Sequence, residues 1–134
     1  MNRWLTILMV IVIVSSAANA NPASNAKAFE PMLPVKTPSL TPGKVPKGTF
    51  STQLDKPLFI VGADRRSHRW LARHHAYLKS INAMGMVVNV VNTGQLKRLM
   101  SYGLPLYPVQ GRQWADQFSL SHYPVLLENG EIKQ

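Results

Sequence analysis

The sequence predicts a small α/β domain that follows a signal segment and a proline-rich arm. Two apolar runs, Leu58–Val61 and Met86–Val91, have the β-branched composition of strands that are buried on both faces. Between them, residues 67–83 repeat apolar side chains at helical spacing. Because a strand, a helix and a second strand in this order form a parallel unit, these observations together indicate an α/β fold.

Residues 1–20 have the three parts of a secretory signal peptide. Arg3 gives the positive start, Leu5–Val14 is a nearly unbroken apolar run, and residues 18–20 read Ala-Asn-Ala, an A-x-A cleavage site. The apolar run is too short to cross a hydrocarbon core of about 30 Å. We therefore expect cleavage and a periplasmic mature protein with no transmembrane span, and a retained anchor is the alternative.

Residues 21–56 are predicted to form a proline-rich extended arm or linker. Seven of the ten prolines lie between positions 22 and 57. Each proline fixes its own φ and biases the preceding residue towards extended geometry. Because large apolar residues are few here, the arm is expected to act as a tether or to order against a neighbouring protein.

Residues 57–134 are predicted to form the folded domain. Ser67 is the expected N-cap of the first helix, which should close near Ala83 with Gly85 in its C-terminal turn. After the second strand, Asn92 or Thr93 is expected to cap a shorter helix that ends at Gly103.

The end of the domain should contain shorter elements. A short strand is expected within Leu104–Val109, one or two helical turns over Gln113–Phe118, and a further strand over Val125–Leu127. Asn129-Gly130 is a strong hairpin signal that leads into Glu131–Lys133. The order β-α-β-α-(β)-α-β-β predicts a largely parallel sheet that ends in an antiparallel hairpin.

The residue content excludes several chemistries. The chain has no cysteine, which excludes a disulfide scaffold, a thiol nucleophile, an iron–sulfur cluster and a Cys-based zinc site. It also has no glycine-rich phosphate loop and no nucleophile elbow. His68 and His75 would stand about 10 Å apart on a helix, too far to share an ion. We therefore assign no catalytic, cofactor-binding or metal-binding residue.

Positive charge dominates the chain and is concentrated around the start of the first helix. Fifteen Lys and Arg stand against six Asp and Glu, a formal net charge of +9. The predicted basic ridge consists of Arg65, Arg66, Arg69 and Arg73. Such a ridge attracts anionic surfaces, so these residues are predicted to bind an acidic partner. Nucleic acid is the alternative partner and a solvated helix face the plainest interpretation, because no nucleic-acid-binding motif is present.

Three residues near strand ends complete the candidate set. Tyr123 and Pro124 directly precede the strand at Val125 and are predicted to shape the loop beside the basic ridge. An aromatic residue before proline raises the frequency of a cis peptide. Asp64 follows the first strand, where α/β folds often place functional residues, although it is equally a common turn or cap residue.

Four ordered segments carry a resemblance to a known family. They are Val35-Lys-Thr-Pro-Ser-Leu-Thr-Pro-Gly43, Leu58-Phe-Ile-Val-Gly-Ala-Asp64, Val87-Val-Asn-Val90 and His122-Tyr-Pro-Val-Leu126. Together they resemble an uncharacterised family encoded in integrating conjugative elements. The resemblance implies an exported component of a conjugative type IV secretion apparatus, with other proteins of that apparatus in the cell envelope as partners.

The layout is also similar, more distantly, to the TrbC-like pilus-assembly proteins of F-type conjugation systems, and thus to a thioredoxin-like fold. In that fold a cis-proline precedes the antiparallel strand, and Pro124 would be that proline. The redox active site of that fold requires a Cys-x-x-Cys at the start of the first helix, where this chain has Asp64-Arg-Arg-Ser67, so redox activity is excluded. A thioredoxin-like unit ends in a helix, whereas this sequence ends at Gln134. We therefore expect the arm or a partner protein to cover the face of the sheet that this final helix would otherwise cover.

These observations predict an exported, non-enzymatic component of a conjugative transfer apparatus that acts by protein–protein interaction. Two other classes stay open from the sequence. One is a basic accessory protein that contacts DNA during transfer. The other, less favoured, is a small periplasmic hydrolase that uses Asp64 and a histidine.

Overall fold

The computed structural model describes residues 22–134, and the predicted signal peptide over residues 1–20 lies outside this range. The elements are a 3-10 helix over Pro22–Met32, then β1 (Thr41–Pro42), β2 (Gly48–Thr49), β3 (Leu58–Gly62), α1 (Arg65–Ser80), β4 (Met84–Asn89), α2 (Thr93–Met100), β5 (Leu106–Pro108), α3 (Arg112–Phe118), β6 (His122–Tyr123), β7 (Val125–Glu128) and β8 (Glu131–Lys133). The predicted α/β class is confirmed.

A mixed six-stranded sheet in the order β2-β8-β7-β3-β4-β5 forms the centre of the domain. Strand β3 pairs in parallel with β4, and β4 pairs in parallel with β5. On the other side of β3, β7 runs antiparallel and forms the terminal hairpin with β8. The turn residues Asn129 and Gly130 have φ of 51° and 76°, left-handed values that suit asparagine and glycine in a tight hairpin.

Alternate residues of the central strands face two separate hydrophobic clusters, as the period of a strand requires. Phe59 and Val61 of β3 face the cluster covered by α1, α2 and the 3-10 helix. Leu58 and Ile60 face the opposite cluster, which α3 covers. All four side chains are buried. The sheet is thus packed on both faces, which explains the continuous apolar run in β3.

The N-cap of helix α1 lies three residues earlier than the sequence predicts. Asp64, not Ser67, is the N-cap: its carboxylate accepts hydrogen bonds from the Ser67 backbone N–H at 2.9 Å and from the Ser67 hydroxyl at 2.8 Å. At the other end, Asn82 takes a positive φ of 57° after the helix ends at Ser80. Gly85 therefore lies inside β4 rather than in the helix turn. For the second helix, Asn92 is the N-cap, one of the two caps that the sequence predicts.

The proline-rich segment differs from an extended, unpacked arm. Pro22–Met32 is a 3-10 helix that packs against α2. Farther on, Val35, Leu40 and Val45 are buried in the two clusters of the domain. The sequence shows few apolar residues here, but these three are spaced so that each reaches the core.

Hydrogen bonds from a few buried groups hold the arm against β4. Val35 and Val90 exchange backbone hydrogen bonds at 2.9 and 3.0 Å. The buried hydroxyl of Thr37 donates to the Val88 carbonyl at 2.8 Å and accepts from the Gly111 N–H at 2.9 Å. The arm is thereby part of the folded unit, because buried backbone groups of the domain depend on it for their hydrogen bonds.

We expect Thr37→Val to lower the free energy of unfolding by about 1–3 kcal/mol, because the change keeps the side-chain shape but leaves the Val88 carbonyl and the Gly111 N–H without their partner. Chemical denaturation of the two proteins measures this difference. The exposed Thr49→Val is the control and should change stability little. Equal stability of Thr37→Val and the unsubstituted protein would show that the arm is not held in this way.

Candidate functional site

A basic groove lies between the first half of α1 and the start of the terminal hairpin. It is a cavity of about 330 Å³, and its lining residues are Arg66, Arg69, Trp70, Arg73, His74, Pro124 and Gln134. We call this cavity the basic groove. Its three arginines stand on one side of α1 because they are spaced by three and four residues, close to one helical turn.

The arginines of the basic groove have no acidic partner in the part of the chain that the structure describes. Over residues 22–134 the ion pairs are Arg112–Asp116, at 4.0 Å, and Lys133–Glu128, at 3.2 Å. Arg66, Arg69 and Arg73 are all exposed. Their charges are therefore free to meet an anion from outside the domain.

The structure brings together four of the six residues that the sequence predicts as partner-binding. Arg66, Arg69, Arg73 and Pro124 all line the basic groove. Arg65 is exposed in the first turn of α1 but does not line the groove. Tyr123 is 2% exposed and belongs to the core below it.

Tyr123 holds Pro124 in position at one side of the basic groove. The peptide bond between Tyr123 and Pro124 is cis. The Tyr123 hydroxyl accepts a hydrogen bond from the Asn89 amide at 3.2 Å, and its ring lies over Gly62. A Cβ at Gly62 would come within 2.6 Å of the tyrosine hydroxyl, so only glycine leaves room for this packing. Burial raises the pKa of Tyr123, which keeps the hydroxyl protonated at neutral pH.

Trp70, His74 and Gln134 are the groove residues that the sequence did not single out as binding residues. The rings of Trp70 and His74 lie 5.1 Å apart between centroids. Burial, and then the charge of Arg73, lowers the pKa of His74 and so favours the neutral form of its ring. The Gln134 amide donates to the Pro124 carbonyl at 2.9 Å and to the Gly43 carbonyl at 2.7 Å. Spacing places His74 on the Trp70 side of α1, but nothing in the sequence indicates the long-range contacts of Gln134.

The residues of the hydrolase alternative have structural partners. The Ser67 hydroxyl is fully buried, donates to Asp64 and accepts from the Gly62 N–H at 3.0 Å. His68 bonds instead to the Tyr102 hydroxyl at 2.9 Å, and burial followed by the charge of Arg98 lowers its pKa. Asp64 and Ser67 thus form a helix cap, and the nearest histidine in sequence is engaged elsewhere. Within residues 22–134, no group of three His, Asp or Glu is placed to hold a metal ion.

We expect Asp64→Ala to lower the free energy of unfolding by about 0.5–2 kcal/mol because the N-cap of α1 is lost. Asp64→Asn keeps a capping oxygen and should lose clearly less. Thermal and chemical denaturation of both variants measure the difference. If Asp64→Asn were as unstable as Asp64→Ala, capping would not explain the residue.

Comparison with known proteins gives a family but no characterised relative. No curated protein and no solved structure matches the chain significantly. The family described as a protein of unknown function (DUF2859) matches residues 12–132, nearly the whole sequence and every lining residue of the groove except Gln134. The chain therefore belongs to this family.

Proposed function

We propose that the protein is an exported, non-enzymatic component of a conjugative type IV secretion apparatus, and that it binds an acidic surface of another envelope protein in the basic groove. The observation that carries the binding proposal is the set of Arg66, Arg69 and Arg73 around one cavity without an acidic partner among the described residues. The conjugative setting rests on the four sequence segments that resemble proteins of integrating conjugative elements.

An exposed ion pair contributes only about 0–1 kcal/mol, so a single contact would not hold a partner. Three arginines around one cavity can meet several carboxylates at once, and each guanidinium can bind a carboxylate through two hydrogen bonds. The formal net charge of +9 adds long-range attraction to an acidic surface. Charge complementarity of this kind favours rapid association and selects acidic partners over basic ones.

The packing of the arm supports a role for the groove rather than the arm in partner binding. With Ala26, the residues Val35, Leu40 and Val45 are the arm's buried apolar residues, and all four pack inside the domain. None of them lines the basic groove. The arm thus has few apolar side chains left with which to bind a neighbour, and it leaves the groove uncovered.

A non-enzymatic role is consistent with the groove's chemistry. Its charged residues are arginines, which stay protonated at every physiological pH and so cannot act as general bases. Its one histidine lies against Trp70 with the two rings tilted, and no carboxylate is hydrogen-bonded to its ring among the described residues. The groove provides positive charge and a concave shape, and both serve to bind a partner.

No helix within residues 22–134 is long and apolar enough to cross a membrane. The proposal that the protein is exported therefore rests on residues 1–20 alone. We expect the protein purified from the envelope fraction to begin at Asn21, which intact-mass measurement tests directly. Recovery of the full chain from Met1 in that fraction would instead indicate a retained anchor.

Reversing charge in the groove should impair conjugation. In donor cells that carry Arg69→Glu and Arg73→Glu in the same chain, we expect transfer frequency to fall at least about ten-fold, because the acidic partner would be repelled. The measurement is mating frequency at matched protein levels. Photo-crosslinking from position 66 in the unsubstituted background should capture an envelope protein through an acidic segment.

The control for this experiment is Lys47→Glu with Lys56→Glu in the same chain. It makes the same total change of charge, at two exposed positions that do not line the groove, and should leave transfer nearly unchanged. Normal transfer by the double variant would contradict the proposed site. Crosslinks to DNA instead of protein would favour the DNA-contacting alternative.

A further inference from the structure

The basic groove continues into a second, smaller cavity of different chemistry. This apolar pocket has a volume of about 130 Å³ and shares Trp70, His74 and Gln134 with the basic groove. Its remaining lining residues are Tyr77, Leu78, Leu126 and Lys133. The two cavities therefore form one continuous depression that is basic towards the start of α1 and apolar towards the middle of the helix.

Three polar side chains around the apolar pocket are already engaged, whereas the buried indole N–H of Trp70 has no hydrogen-bond partner within residues 22–134. The Lys133 ammonium pairs with the buried Glu128 carboxylate at 3.2 Å, and the Tyr77 hydroxyl donates to the same carboxylate at 2.6 Å. The Gln134 amide nitrogen is bonded to backbone carbonyls. A polar ligand group would find few free hydrogen-bonding partners here to replace water, whereas an apolar group needs none.

The pocket has the size of one side chain. An apolar cavity of about 150 Å³ holds a benzene-sized group, so 130 Å³ suits a single aliphatic side chain such as leucine. Helix α1 rises about 1.5 Å per residue, which separates Arg73 from Leu78 by about 7.5 Å along the axis. An extended peptide covers that distance in two to three residues.

We propose that the ligand of the basic groove is an extended acidic peptide segment whose carboxylates meet Arg69 and Arg73 while one aliphatic side chain, two to three residues away, fills the apolar pocket. This inference rests on the proposed function and specifies its partner. The three uncompensated arginines select acidic residues, and the adjoining pocket selects a neighbouring aliphatic residue. DNA matches only the first of these two requirements, because it has no aliphatic side chain.

The test uses the mature full-length chain and three fluorescein-labelled synthetic peptides in low salt. The first reads Gly-Glu-Ser-Glu-Ser-Leu-Ser-Gly, which places both glutamates and the leucine on one face of an extended chain. The second has glycine in place of leucine, and the third has lysine in place of both glutamates. By fluorescence anisotropy, we expect the first peptide to bind about ten-fold more tightly than the second, the gain from burying one aliphatic side chain. The third peptide should not bind detectably.

Two pairs of variants separate the two parts of the depression. Arg69→Glu with Arg73→Glu should abolish binding of both acidic peptides, and Lys47→Glu with Lys56→Glu should preserve it. Tyr77→Trp enlarges an exposed side chain that lines the apolar pocket but not the basic groove, and should remove the preference for leucine while leaving the weaker binding of the glycine peptide. Tyr107→Trp is its control, since Tyr107 is similarly exposed and lines neither cavity. Far-ultraviolet circular dichroism and thermal melting verify that each variant is folded.

Each possible result of these measurements either supports the inference or overturns it. Equal affinity for the leucine and glycine peptides, or no binding of either, would overturn it. If both acidic peptides bound equally and both were lost with the charge reversals, the groove would still bind acidic segments and the proposed function would stand without the apolar requirement. Tighter, groove-dependent binding of single-stranded DNA or of phosphatidylglycerol vesicles than of the leucine peptide would also overturn it.

Discussion

The rest of the structure depends on the side-chain amide of Asn89, which joins both the arm and Tyr123 to β4. Its oxygen accepts a hydrogen bond from the Thr37 backbone N–H at 2.7 Å, and its nitrogen donates to the Leu40 carbonyl at 3.0 Å and to the Tyr123 hydroxyl at 3.2 Å. One residue at the end of β4 thus holds both the arm and the residue before Pro124 against the core. Because an amide offers both a donor and an acceptor, neither aspartate nor leucine could replace these bonds.

The arm and the groove therefore have different roles. The arm supplies Leu40 and Val45 to the cluster that α3 covers and Val35 to the cluster that α1 and α2 cover, so its apolar residues are used within the domain. Gln134 then ties Gly43 of the arm to Pro124, at the margin of the groove. The groove is therefore bounded by residues that the arm helps to position, while its arginines stay accessible.

The sequence predicts what depends on local patterns and misses what depends on distant contacts. The main strands and helices follow from apolar periodicity, and the groove arginines from their spacing on one helix. The very short strands could not be predicted, since β1 exists only because Thr41 and Pro42 pair with residues 122–123. For the same reason, nothing local shows that a proline-rich arm packs in cis, or that Gln134 lines the groove. The choice between Asp64 and Ser67 as helix cap also needed the structure, because both residue types cap helices well.

Hydrogen exchange of the arm amides in the mature protein tests most directly whether the arm is an integral part of the domain. The amides of Val35, Thr37, Thr41 and Gly43 donate to Val90, Asn89, Ser121 and Tyr123 respectively. If these bonds hold the arm as described, the four amides exchange with protection close to that of β3 and β4, since they open only when the domain unfolds. Exchange of all four at the rate of an unstructured chain, while β3 stays protected, would contradict an arm that is built into the fold.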